Sequence, residues 1–146
     1  MRSSIGFVTL AVRDVAKSRA FYEALGLVAS ERSRPDLALF QMNGLVLSLA
    51  SHAVMRRERG VGPATRRGTG SVTLSHNVRA AAEVGGLLDR ARWAGGRILR
   101  DAGAAPWGGT TGWFADLDGH VWEVVYNERV ILDAKGNLYL EPPGVW

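Results

Sequence analysis

The sequence predicts an α+β protein assembled from two copies of one strand–helix–strands module, and three observations carry that prediction. Phe7-Val8-Thr9-Leu10 returns as Ser71-Val72-Thr73-Leu74. The run from Leu39 and Phe40 through Asn43-Gly44 to Val46 and Ser48 matches the run from Trp113 and Phe114 through Asp118-Gly119 to Val121 and Glu123, with one extra residue before the second turn, so Ser48 corresponds to Glu123. Between these segments each half carries a helical stretch with apolar residues three and four apart. Those residues are Phe21, Tyr22 and Leu25 in the first half and Ala81, Val84, Leu88 and Ala91 in the second. A duplicated module places a candidate site between its copies.

Each element has a local reason. Asp14 and Asn77 are expected N-caps, since a short side-chain oxygen there accepts from an unpaired first-turn amide. Gly26 and Gly95 suit the left-handed conformation that stops a helix. Asn43-Gly44 and Asp118-Gly119 separate apolar runs and supply the positive φ angles of two-residue hairpin turns. Gly85-Gly86 weakens the second helix by roughly 1 kcal/mol per glycine relative to alanine, so packing must hold that helix. Beyond Asn127, Arg129–Leu132 and Asn137–Leu140 flank Lys135-Gly136 as a further hairpin, ended by Pro142-Pro143. This extension, closing on Val145-Trp146, is expected to cover a sheet edge or to reach a second subunit.

Composition sets the limits. A chain of 146 residues, 47% hydrophobic, with mean hydropathy −0.02, buries one core rather than two. No apolar run approaches the ~18 residues of a membrane span, and the N-terminus carries no signal-peptide pattern. A cytoplasmic protein without membrane contact is expected. With no cysteine there is no disulfide framework, thiolate nucleophile or thiolate metal site. The net charge of +4 comes largely from arginine, and Arg56, Arg57, Arg59, Arg66 and Arg67 cluster with glycine and proline between the halves. No nucleic-acid-binding motif accompanies them, so the segment reads as a basic, irregular linker or a lip over a ligand site. The expected organisation is one domain over 1–146: module 1 at about 5–52, linker at about 53–69, module 2 at about 70–127, extension at 128–146.

The residues Phe7-Val-Thr-Leu-Ala-Val-Arg-Asp14, Ser18-Arg-Ala-Phe21-Tyr22-Glu-Ala-Leu25-Gly26 and Gly112-Trp-Phe-Ala-Asp116-Leu-Asp118-Gly119-His-Val-Trp-Glu123 resemble the vicinal oxygen chelate superfamily. That group includes glyoxalase I, bleomycin-resistance proteins, extradiol dioxygenases and fosfomycin-resistance enzymes. The resemblance spans residues 5 to 127. It implies two tandem βαβββ modules forming an open, curved mixed-sheet barrel around a cavity, with helices outside, and commonly a homodimer. It also implies metal ligands at four equivalent positions, which fall here on Phe7, Ser48, Ser71 and Glu123. Of these only Glu123 is an ordinary metal-ligand type, and a divalent cation wants about three or more oxygen or imidazole ligands from the protein. A protein without a metal or other cofactor is therefore expected.

His52, His76 and His120 do not rebuild such a site. His120 lies three residues from Glu123 and faces the other way, His76 adjoins a helix cap, and His52 adjoins the linker; all three read as surface or turn histidines. Glu123 is out of pattern among Val121, Trp122, Val124 and Val125. It is either an ion-pair partner of an arginine or an acid inside a ligand cavity with a raised pKa, suited to proton transfer or to holding a hydroxyl or cationic group. Trp113 and Trp122 alternate in strands. Trp107, in a glycine-rich loop, reads as a lid over the cavity or a subunit contact. Phe7 makes the cavity floor apolar, which favours flat or amphiphilic ligands.

The candidate ligand-binding residues are Phe7, Ser48, Ser71, Trp107, Trp113 and Glu123, with Glu123 the candidate catalytic group. The leading expectation is a metal-free small-molecule binding protein of the bleomycin-resistance type. Beside it stand a glyoxalase-like lyase or isomerase using Glu123 as base or metal ligand, and a metabolite-sensing accessory domain.

Overall fold

A computed structural model describes residues 7–59 and 73–140. The first module runs β1 (Phe7–Val12), α1 (Val15–Ala24), β2 (Leu37–Gln41) and β3 (Val46–Ser51), followed by α2 (His52–Arg59). The second runs β4 (Thr73–Asn77), α3 (Ala81–Trp93), β5 (Arg97–Ala104), β6 (Thr110–Ala115) and β7 (Val121–Tyr126). A tail hairpin, β8 (Ile131–Leu132) and β9 (Leu138–Tyr139), follows.

In the second sheet the order is β4-β7-β6-β5, and in the first it is β1-β3-β2. In each, the module's opening strand pairs in parallel with its closing strand. The sheets are open, and the architecture is the mixed α+β one expected. Module 2 is a full βαβββ unit. Module 1 falls one strand short, because its second strand, the counterpart of β5, is reduced to the isolated bridge Ala29↔Phe40. The cause is local. Ser30-Glu31-Arg32-Ser33-Arg34-Pro35-Asp36 is polar and includes a proline that cannot donate to a ladder, and the Ser33 hydroxyl takes the Leu39 amide at 3.0 Å in place of a strand carbonyl.

Several local expectations hold and several need correction. Asp14 caps α1, its carboxylate accepting from the Lys17 amide at 3.0 Å. Asn77 does not cap α3. It ends β4, and Ala80 occupies the cap without a side-chain bond; Glu83 in the first turn and Arg90 and Arg92 in the last complement the helix dipole instead. Gly26 and Gly95 both adopt positive φ beyond the helix ends. The first hairpin closes over Asn43-Gly44 as a two-residue turn, the Met42 amide donating to the Leu45 carbonyl at 2.9 Å, but in both turns only the glycine takes positive φ, since Asn43 and Asp118 keep negative φ. In the second, the Gly119 amide donates to the Asp116 carbonyl at 3.1 Å and the Asp116 amide to the His120 carbonyl at 3.0 Å. That is a three-residue loop with glycine in the left-handed position. The linker is not irregular from its start: residues 52–59 are helical, and Val54 is buried beneath β3. Arg66, Arg67 and Trp146 lie outside the described residues.

One core joins both modules. Phe21 packs on Tyr22 with ring centroids 5.2 Å apart and on Phe114 at 6.2 Å, and Tyr22 reaches Phe40 at 6.0 Å and Trp122 at 5.9 Å. Burial of each such ring contributes about 1.5–3 kcal/mol. Helix α3 lies directly on β6, so closely that a Cβ at Gly112 would clash with Leu88 Cδ1. The expected tail hairpin forms and is tied to both modules: Asn43 donates to the Lys135 carbonyl, and Arg79 donates to the carbonyls of Leu132 and Asp133.

Candidate functional site

Glu123 sits in mid β7, where the ladder sets Ser75 beside it on one side and Trp113 on the other. Partners across a ladder share a face, so these three side chains point away from α3, which packs on the opposite face through Gly112, Phe114 and Val124. Each Glu123 oxygen accepts a hydroxyl: Ser75 Oγ donates to Oε2 at 2.9 Å and Thr111 Oγ1 to Oε1 at 2.9 Å. The two alternatives drawn from sequence are thereby narrowed. Among the described residues no arginine pairs with Glu123, and its charge is held by hydroxyl donors on a half-open sheet face.

The same position in module 1 is Ser48, and it is buried at 2% exposure. Its ladder neighbour is Thr9, and the two hydroxyls share a 2.6 Å hydrogen bond. Because Ser48 pairs with Thr9 and Glu123 with Ser75, Thr9 corresponds to Ser75 and Phe7 to Thr73. The repeat is therefore two residues out of the expected register, in which Phe7 matched Ser71; Ser71 itself lies outside the described residues. Phe7 is 62% exposed and offers no donor atom. Trp107 does not reach the Glu123 row by any ladder pairing. Its ring folds back on its own loop, with Cζ3 2.7 Å from where a Gly109 Cβ would stand.

These residues do not fit a resident divalent metal. Phe7 and Thr73 supply at most one hydroxyl, Ser48 is sealed against Thr9, and Glu123 is a single carboxylate already engaged twice. Neutral hydroxyls are weak ligands for such ions, which are held by several carboxylate or imidazole donors. Among the described residues no three acidic, histidine or cysteine side chains converge.

A second polar constellation went unread in the sequence. Asp116, 6% exposed, receives four hydrogen bonds: from the Asp118 and His120 amides at 3.0 and 2.8 Å, from Tyr22 Oη at 2.6 Å, and from His120 Nδ1 at 2.8 Å. Trp122 Nε1 in turn donates to Tyr22 Oη at 3.1 Å. Beside it, Asp118 accepts from the Arg13 amide at 2.9 Å and the Ser18 hydroxyl at 2.9 Å. Burial alone would raise the Asp116 pKa, but the bonds from His120 and Tyr22 outweigh it and hold the carboxyl below its usual range. The bond to Asp116 raises His120 against the opposing effect of burial, and burial together with Asp116 pushes the Tyr22 phenol far up. The readable signal was the spacing of Asp116 before the Asp118-Gly119 turn and a tyrosine hydroxyl inside an apolar helix stripe. His120, expected at the surface, is instead a partner in this network, and it does face away from Glu123.

A half-open notch lies between the modules, lined by Tyr22, Leu25, Met42, His76, Phe114 and Trp122 among others. It lies on the helix side of the second sheet, opposite Glu123. At about 60 Å³ it is well short of the roughly 150 Å³ that holds a benzene-sized guest. Burial and the nearby Arg90 lower the pKa of His76 at its edge.

The fold and the site define a member of a large scaffold class that serves many chemistries. The sequence matches the Glyoxalase/Bleomycin resistance protein/Dioxygenase superfamily over residues 4–124, and the chain belongs to that family. Among solved structures it is similar to a glyoxalase-related enzyme from Fulvimarina pelagi, with 37% identity, 94% of this chain and 98% of that one covered, and a TM-score of 0.87. It is also similar to a glyoxalase/bleomycin resistance protein/dioxygenase from Nocardioides (25% identity, 86% and 84% covered, TM-score 0.67). A lactoylglutathione lyase from Agrobacterium tumefaciens, at 19% identity with 88% and 96% covered and a TM-score of 0.66, shares the fold. No curated protein matches the sequence.

Proposed function

We propose that the protein binds a small aromatic or amphiphilic molecule on the Glu123 face of its second sheet, without a resident metal, and that it works as a homodimer in which a second copy covers that face. The observation that carries the reading is the Glu123 carboxylate held by Ser75 and Thr111 beside Trp113. It joins a stacking surface to a directed acceptor, and among the described residues no set of metal donors surrounds it. Both carboxylate oxygens keep a free lone pair for a ligand hydroxyl or amine, and a flat ring against Trp113 adds about 0.5–1.5 kcal/mol beyond its buried area.

Titration calorimetry with 4-hydroxybenzamide, a neutral flat probe, tests this. Binding is expected, and Trp113→Ala should weaken it by about tenfold or more. Binding that ignores Trp113→Ala places the ligand elsewhere and overturns the reading. Calorimetric titration with zinc or nickel should show no site tighter than about 1 μM; such a site, or Glu123-dependent formation of S-lactoylglutathione, would restore the lyase reading. Light scattering is expected to give twice the 15.8 kDa chain mass.

A further inference from the structure

The Glu123 row extends one strand further, to a cation that neither the repeat nor the family positions mark. Trp113 pairs across its outer side with Arg100 of β5, so the face away from α3 reads, strand by strand, Arg100, Trp113, Glu123, Ser75. A bulge produces this arrangement. Ile98 pairs with Phe114 and Arg100 with Trp113, so Leu99 and Arg100 together stand opposite one residue. An extra residue of this kind re-aims the side chains beside it. Without it, alternation would put Arg100 on the helix side with Ile98.

Charge partners sharpen the contrast among the nearby arginines. Arg92 is engaged, with Asp89 at 2.7 Å and Asp101 at 3.2 Å. Among the described residues nothing pairs with the Arg100 guanidinium, and the side chain is exposed. Strands lie about 4.8 Å apart, so Arg100 and Glu123 are separated by about 10 Å at the backbone, with the indole of Trp113 between them. Both side chains can lean over that ring to meet the two ends of one benzene-sized molecule.

Resting on the proposed function, we infer that the ligand is a flat aromatic anion: a ring lying on Trp113, a carboxylate or similar planar anion held by Arg100, and a hydroxyl or amine donor directed at Glu123. The guanidinium fork suits a planar two-oxygen anion. The sign asymmetry of the row fixes one orientation, because the reversed ligand would set its anion against Glu123.

The experiment compares 4-hydroxybenzoate with 4-hydroxybenzamide by calorimetry on the full chain at low salt. The wild type should prefer the carboxylate by about tenfold. Arg100→Gln should bring the ratio of the two affinities to near one, Arg100→Lys should keep part of the preference, and Arg92→Gln should keep it whole. Because each variant is judged by the ratio of two ligands, a general loss of fold cannot imitate the result. Equal binding of both probes by the wild type overturns the assignment of Arg100 and leaves the binding function standing. Equal loss of preference in Arg100→Gln and Arg92→Gln reduces the effect to net charge and overturns it too. Binding of neither probe overturns both readings.

Discussion

At equivalent positions of two matching ladders, module 1 carries Ser48 and module 2 carries Glu123, and the two have been put to different uses. Ser48 is sealed inside its sheet, its hydroxyl spent on Thr9 at 2.6 Å. Glu123 stands on a half-open face with two hydroxyl donors and an aromatic neighbour. A buried carboxylate at Ser48 would need partners that module 1 does not supply. The shared backbone therefore fixes where a polar side chain points, and its immediate neighbours decide whether that side chain serves packing or a ligand. The comparison extends to Asp116, the acid that is fully enclosed. It joins α1 of one module to the β6–β7 turn of the other, and its partners leave none of its bonds for a ligand.

Substitutions can break that contrast, and the largest expected effect is at the enclosed acid. Asp116→Ala strands the Tyr22 hydroxyl, the His120 imidazole and two amides at the module seam. The expected cost is about 3 kcal/mol or more, a fall in Tm on the order of 10 °C by thermal denaturation. A loss below about 1 kcal/mol would mean that water replaces the carboxylate and that the seam is held by its aromatic rings alone. Tyr22→Phe removes only one donor to that acid and should cost about 1–3 kcal/mol.

The module comparison itself is sharpened by a pair of changes. Ser48→Ala should lower stability by about 1 kcal/mol, the worth of one buried hydroxyl bond, and leave 4-hydroxybenzamide affinity unaltered. Glu123→Gln should do the reverse, shifting Tm little while weakening that affinity measurably, by up to about tenfold. A large stability loss in Glu123→Gln would make it a structural residue like Ser48.

The smallest effect is a pH dependence. His120 has its pKa raised on folding, so its contribution is complete below its unfolded value and is lost as pH rises through the folded one. Asp116 is depressed, so its contribution is present above its unfolded value and is lost as pH falls through the folded one. The Tm difference between wild type and His120→Asn should accordingly be larger near pH 5.5 than near pH 8.5. An equal difference at both would show that the imidazole serves only as a neutral donor.

Much of this was legible from residue pattern because the signals are local or repeated. The helices announced themselves by apolar spacing and by Asp14, Gly26 and Gly95, and the correspondence of Ser48 with Glu123 follows from two similar strand pairs around glycine turns. Local signals also misled where two offsets competed. Val72-Thr73-Leu74 copies Val8-Thr9-Leu10 in letters, yet the ladder aligns Thr9 with Ser75; a shift of two residues leaves every side chain on its original face, so alternation could not choose between the two offsets. By itself, then, the sequence determined the duplicated α+β architecture, the family and the out-of-pattern acid in the closing strand. Only tertiary structure decided that Asp116 would draw Tyr22 from 94 residues away, that Glu123 would be held by Ser75 and Thr111, and that a bulge would turn Arg100 onto the same face. Each of those depends on which strands lie side by side and on which face a side chain emerges, and periodicity within one segment carries no information about its neighbour.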